Sequence, residues 1–146
     1  MSETDRIVLP TDFSEASLAA VPWARRMSED RNAELHCVTA VQQPVIYTPM
    51  GAEAAYPSIE ELVRLAEQLL DDFVKEHCAG LKRSPVAKVL VGRPADEIIR
   101  YASDIDAEMI VMATHGYSGL THLLIGSTTE GVVRQAKCPV LTVRSS

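Results

Sequence analysis

In the stretch ATHGYSGLTHLLIGSTTEGVV, Ala113 to Val133, the glycines Gly116, Gly119 and Gly126 lead into three consecutive hydroxyl residues, Ser127, Thr128 and Thr129. Glycine lets backbone approach a bound group closely, and the first N–H groups of a helix have no acceptor within that helix. Small residues running into a hydroxyl-bearing helix start therefore suit an anion, phosphate above all. A second short polar stretch, Pro10-Thr11-Asp12, follows the apolar run RIVL near the start of the chain.

The common phosphate signatures are absent from the sequence. There is no G-x-x-x-x-G-K-[ST] loop and no G-x-G-x-x-G at the first strand-helix turn, so P-loop and dinucleotide-binding readings fall. Structural uses of the same residues stay open. Ser127 and Glu130 have the spacing of a capping box, in which the serine hydroxyl accepts from the N3 amide and the glutamate returns a bond. Asp12 can serve as the N-cap of the first helix. His115 and His122 have no carboxylate partner identifiable from sequence, and His36 and His77 carry no functional signal. Cys37, Cys78 and Cys138 are widely spaced, with no C-x-x-C and no zinc-like Cys/His cluster, so they read as buried free thiols.

The elements that must position these residues follow from hydrophobic period. Arg6–Pro10 reads as a short buried strand, Glu34–Val41, Val86–Val91 and Val140–Arg144 as further strands, and Met109–Ala113 as a strand almost wholly apolar, as expected when both faces are covered. Between them, helical spacing covers Phe13–Asp30, Ser58–Ala79, Pro94–Ser103 and Ser127–Ala136, with Leu18, Val21, Trp23, Ala24 and Met27 apolar in the first. Pro22 predicts a kink in that helix or a late start, because its ring clashes with the preceding turn. Residues 42–57 hold three prolines and a glycine and read as a long loop, a length that suggests a functional role such as a lid. Alternation of strand and helix implies a doubly wound α/β fold: one domain, residues 1–146, with a five-stranded parallel sheet and helices on both faces. Ligands of such sheets sit outside the carboxyl ends of the strands, where strand order reverses. If the first and fourth strands are neighbours, Pro10-Thr11-Asp12 and Ala113-Thr114-His115-Gly116 border one crevice.

Gly116, nine residues, then Gly126-Ser127, with Ala113 three residues before Gly116, resembles the nucleotide-binding motif of the universal stress protein family. IVLPTDFSEAS at the start, GRPADEII after the third strand and VRQAKCPVLTVR at the end are similar to the same family, so the resemblance covers essentially the whole chain. It implies strand order 3-2-1-4-5 and homodimers paired through the last strand. The family's ATP-binding members carry G-x-x-G, nine residues, G-[ST]; this chain matches at Gly116, Gly126 and Ser127 and departs at Ala113. The resemblance implies ATP or ADP as ligand, with Mg or Mn at the phosphates. It would place Asp12 toward the nucleoside or a metal, Ala40 and Met112 toward adenine, and Gly116, Gly126, Ser127 and Thr128 at the phosphates, with Pro10, Thr11 and Ala113 completing the cradle.

Bulk properties limit the alternatives. The 146 residues are 47% hydrophobic and 23% charged, with a formal charge of −6 and a pI of about 5.2. A broad nucleic-acid footprint is not expected from such a surface. No window approaches the roughly 18–20 apolar residues of a membrane span, and the expected setting is the cytoplasm. The motif contains no lysine, whereas phosphoryl transfer needs charge neutralisation and an oriented nucleophile. The expected function is an ATP-binding stress sensor or regulator with at most slow hydrolysis. The alternative is a dimeric stress-related interaction protein that binds no nucleotide, a reading that Ala113 favours. Adenylating enzymes of related fold would show S-G-G-x-D-S or H-x-G-H loops, and neither is present.

Overall fold

The computed structural model describes residues 4–54, 57–114 and 126–145. In chain order it contains β1 (Arg6–Pro10), a 3₁₀ turn (Ala16–Ala20), α1 (Val21–Arg31), β2 (Glu34–Val41), β3 (Val45–Thr48), β4 (Gly51–Ala54), α2 (Ile59–His77), β5 (Val86–Val91), α3 (Pro94–Asp104), β6 (Met109–Ala113), α4 (Ser127–Gln135) and β7 (Val140–Val143). The main sheet has the order β5-β2-β1-β6-β7, and every neighbour pair in it is parallel. Numbered among themselves, its strands run 3-2-1-4-5. The first and fourth strands are thus central neighbours, and the order reverses between them.

Alternation along β1 assigns the two faces. Ile7 and Leu9 join Leu35, Cys37 and Val111 beneath Val21 and Ala24 of α1 and Leu70 and Phe73 of α2. On the other face, Val8, Val38, Ile110 and Met112 pack against Ile98 and Ala102 of α3 and Val132 of α4. Ile7, Leu9, Leu35 and Ile110 are essentially inaccessible to solvent, and burying each such side chain contributes ~1.5–3 kcal/mol.

Pro22 acts as the sequence suggests, by delaying the helix. The preceding segment forms only a 3₁₀ turn, and α1 begins at Val21 with the proline in its first turn, where no backbone donor is lost. Trp23, expected among the core-facing positions, instead lies half-exposed with the Arg26 guanidinium over its ring. Arg25, within α1, donates to the His77 carbonyl at the end of α2 at 2.9 Å. Ser58 caps α2, accepting from the Glu61 amide at 3.3 Å. Gly92 adopts φ +140°, a conformation costly for other residues, and its N–H extends the β2–β5 ladder by bonding to the Val41 carbonyl.

The segment 42–57 departs from its reading as a structureless loop. β3 and β4 form an antiparallel hairpin closed around Pro49-Met50, with Val45 opposite Ala54 and Thr48 opposite Gly51. The Thr48 hydroxyl donates to the Gly51 carbonyl across the turn. Val45, Ile46, Tyr47 and Met50 are all exposed, so the strands lack the one-sided burial that makes a strand legible in sequence.

Candidate functional site

The turn after β1 is built from hydroxyl groups. Thr11 leaves the strand with its N–H on the Val38 carbonyl, and its Oγ1 accepts from the Phe13 amide at 3.0 Å. Ser17 donates its hydroxyl to the Ser14 carbonyl, so the Thr11 hydroxyl is the donor in its 3.1 Å contact with Ser17 Oγ. Asp12 Oδ1 accepts from both the amide and the hydroxyl of Ser14. This is an Asx turn, and the expectation that Asp12 caps a helix is not met: the residue before the 3₁₀ turn is Glu15. Phe13 sits at φ +66°, a sparsely populated conformation for a bulky residue. Its ring meets Phe73 of α2 edge-on at 6.2 Å, which holds the turn against the helix.

On the opposite side of the crevice, β6 hands over to α4. Gly126 is the N-cap of that helix, at φ −69° and ψ 159°, with no side-chain cap bond. The first intrahelical bond runs from the Glu130 amide to the Gly126 carbonyl. The helix therefore offers no acceptor to the N–H groups of Ser127, Thr128 and Thr129. A capping box is ruled out because Ser127 is already the first helical residue, and Glu130 pairs with Arg134 at 3.0 Å instead. The Gly126 amide bonds to the Thr114 carbonyl, and the Thr129 hydroxyl donates to the Ala113 carbonyl at 2.8 Å. Two bonds thus bind the helix start to the end of β6. Ala113 is absent from the residues with positive φ, so alanine there is no obstacle to the backbone path.

Between these two loops lies a cavity of about 510 Å³, within the range of small-molecule and cofactor sites. Pro10, Thr11, Asp12, Ala40, Met112, Ala113, Gly126, Ser127 and Thr128 all line it, which brings nine of the ten expected site residues to one place. Gly116, the tenth, lies outside the described residues, as do His115 and His122. One wall was not anticipated. Leu62, Leu65, Ala66 and Leu69 of α2 face the cavity, joined from the other layer by Pro94 and Ile98 of α3. The spacing of the leucines is that of any core-facing helix, but Leu65 and Leu69 remain about half exposed. The described lining contains one acidic side chain, Asp12, and neither lysine nor arginine. It passes from Val41 directly to Leu62, so the β3–β4 hairpin does not border the cavity as a lid would.

The arrangement is therefore an apolar slot open at the carboxyl ends of parallel strands, ending in a helix N-terminus. The profile of the Universal stress protein family matches residues 3–144. The chain belongs to the universal stress protein family. A universal stress protein of Methanocaldococcus jannaschii is 35% identical over 140 residues, covering 95% of this chain and 81% of that one. Among solved structures, universal stress protein UspA of Lactobacillus plantarum superposes with a TM-score of 0.79 at 23% identity, covering 99% of this chain and all (100%) of that chain. A universal stress protein solved in complex with cAMP superposes with a TM-score of 0.71 at 26% identity, covering 99% and 100% of the two chains. Along the described residues of this universal stress protein, no helix is long and apolar enough to cross a membrane.

Proposed function

We propose that the cavity binds an adenine nucleotide, ATP by preference, and that the protein is a cytoplasmic nucleotide-dependent regulator of a stress response. The observation that carries this reading is the pairing of an apolar slot with a helix start whose first amides lack intrahelical acceptors. Ala40, Met112 and the leucines of α2 would take the flat, weakly polar base. The amides and hydroxyls of Ser127 and Thr128, with Gly126 and Gly116, would take the phosphates, which the positive end of the α4 dipole favours. The cAMP complex of a relative shows that this architecture accommodates an adenine nucleotide in that protein.

The residues present fit a metal only as a companion of the phosphates. No group of three or more His, Cys, Asp or Glu placed to hold a metal ion occurs among the described residues, and Asp12 is the single carboxylate at the described lining. Mg or Mn would be held chiefly by phosphate oxygens, with Asp12 nearby, and would supply charge neutralisation. Without a lysine or arginine in the described lining, this chain's own residues bind and orient a triphosphate and do little to stabilise charge during its transfer. Hydrolysis is slow at most in this reading.

The same reading includes a homodimer through β7. That strand is the edge of the sheet beyond β6, and an open edge bearing Val140, Leu141 and Val143 invites pairing with a second copy. Light scattering on the purified chain should give twice the monomer mass.

The deciding experiment is calorimetric titration of MgATP into nucleotide-stripped protein, alongside Gly126→Val with its circular dichroism. Wild type should show saturable binding, and the variant should keep its fold and lose binding, because φ −69° suits any residue while the isopropyl group crowds the cavity. Equal affinity in the two proteins, or no heat in wild type, overturns the assignment and moves the function to the dimer surface.

A further inference from the structure

Cys37 and Cys78 are 41 residues apart in sequence, and their Sγ atoms lie 3.7 Å from each other. Cys37 is in β2, opposite Leu9 of β1 and Ala87 of β5. Cys78 is the C-cap of α2. Both side chains are completely buried, and neither has a part in the cavity chemistry. We propose that Cys37 and Cys78 form a redox site that closes to a reversible disulfide under a hydroperoxide, fastening the end of α2 to the central sheet.

Three features support this. The sulfurs need to approach by roughly 1.7 Å to reach bonding distance, a movement within reach of side-chain rotation and a small shift of the helix end. Cys78 is the better nucleophile of the two: the hydrogen bond from Cys37 lowers its thiol pKa, burial opposes this, and the Arg25 guanidinium lowers it further. Cys37 is pushed in the other direction, first by donating that hydrogen bond and then by burial, so it retains the proton and waits as the resolving thiol. Access comes from the location of Cys78, since exposed Ala79 and Gly80 follow it directly and a terminal helical turn opens at low cost.

The chemistry is a two-electron oxidation with the peroxide as oxidant. The Cys78 thiolate attacks one peroxide oxygen, the O–O bond breaks, and the departing hydroxide takes up a proton as water. The Cys37 sulfur then attacks the Cys78 sulfenic acid, an S–S bond forms, and a second water leaves with the Cys37 proton and the sulfenic oxygen. Two thiols and one hydrogen peroxide become one disulfide and two waters. A small dithiol returns the two electrons and two protons. Because Leu62, Leu65, Ala66 and Leu69 of the same helix wall the cavity, the bond sets how freely that wall moves.

The test uses the full chain treated with hydrogen peroxide, alkylated with N-ethylmaleimide in denaturant and digested with trypsin without reduction. The expected product is a linked pair of the peptides 32–64 and 76–82, about 2 Da lighter than their sum and separated again by dithiothreitol. Its melting temperature should exceed that of the reduced form by up to ~10 °C, as a crosslink closing a loop of this length implies. Cys138→Ser should form the same bond. If both peptides remain fully alkylated, or are recovered as separate sulfinic acids or as links between chains, the proposal is overturned. Wild-type mapping decides this even where Cys37→Ser or Cys78→Ser disturbs folding.

Discussion

Replacing Gly131 by alanine tests how closely α3 and α4 must approach. A Cβ built at Gly131, in the middle of α4, would sit 2.9 Å from the Cβ of Ala95 in the first turn of α3. Carbon atoms settle about 3.5–4.0 Å apart, so the helices would have to separate by roughly 0.6–1.1 Å. Ala95 Cβ is tied to its backbone and cannot swing aside. Alanine improves helix propensity by about 1 kcal/mol over glycine, and overpacking costs about 1–3 kcal/mol. The packing cost wins, and Gly131→Ala should destabilise the protein by about 1 kcal/mol net, a fall in melting temperature of roughly 2–4 °C. Urea denaturation at constant m-value is the assay. Ala95→Gly in the same chain removes the opposing methyl, and the double-mutant cycle should show about 2 kcal/mol of favourable coupling. A stabilised Gly131→Ala with no coupling to position 95 would refute the reasoning. The outcome bears on the cavity, because Pro94 and Ile98 of α3 and residues 126–129 at the start of α4 are walls of it.

Three other outcomes follow from named contacts. Thr129→Val keeps the shape of a buried side chain and removes the donor to the Ala113 carbonyl; equilibrium unfolding should register a loss of about 1–3 kcal/mol. The half-exposed Thr128→Val should change stability by less than ~0.5 kcal/mol, and equal effects at the two positions would remove the case for the tether. Tyr101 donates or accepts at His36 Nδ1 at 2.6 Å, and its phenol pKa is raised, first by burial and then by the charge of Glu34, with Arg6 opposing. Difference absorbance between wild type and Tyr101→Phe should therefore place this phenol above the usual ~10. A folded-state pKa above the unfolded one means the native state holds the proton longer. The contribution to stability is complete below pH ~10 and declines as pH rises through the folded value, so wild type should lose stability over that window more steeply than Tyr101→Phe.

Much of the architecture is written locally in the chain. β1, β2, β5 and β6 run over the same residues in sequence and structure, since short runs rich in apolar and β-branched residues, bounded by turn residues, favour a strand. The hairpin β3–β4 was not legible, because Val45, Ile46 and Tyr47 are exposed in succession and leave no alternation of burial to read. The start of α4 was half legible: Ser127-Thr128-Thr129 announces a helix start, but the serine stands one position inside the cap, since helix boundaries depend on where Gly126 meets Thr114. Leu65 and Leu69 have the spacing of core residues, and nothing in a helical period tells a core from the wall of a cavity.

Short-range pattern by itself therefore determined the order and type of the main elements, the interruption of the first helix at Pro22 and the small-residue and hydroxyl character of the two loops. Those features depend on neighbours within a few turns of chain. Only the tertiary structure decided that Asp12 folds back on Ser14, that Thr129 reaches Ala113, that Gly131 admits Ala95, that His36 meets Tyr101, and that Cys37 meets Cys78. Apart from the Asx turn at Asp12, which is local but one of several conformations open to that stretch, each joins residues through packing of separate elements, and a one-dimensional pattern carries no distance between two sites it places on different elements. The cavity itself belongs to this second class: it exists because β1 and β6 lie side by side and send their chains to opposite faces of the sheet.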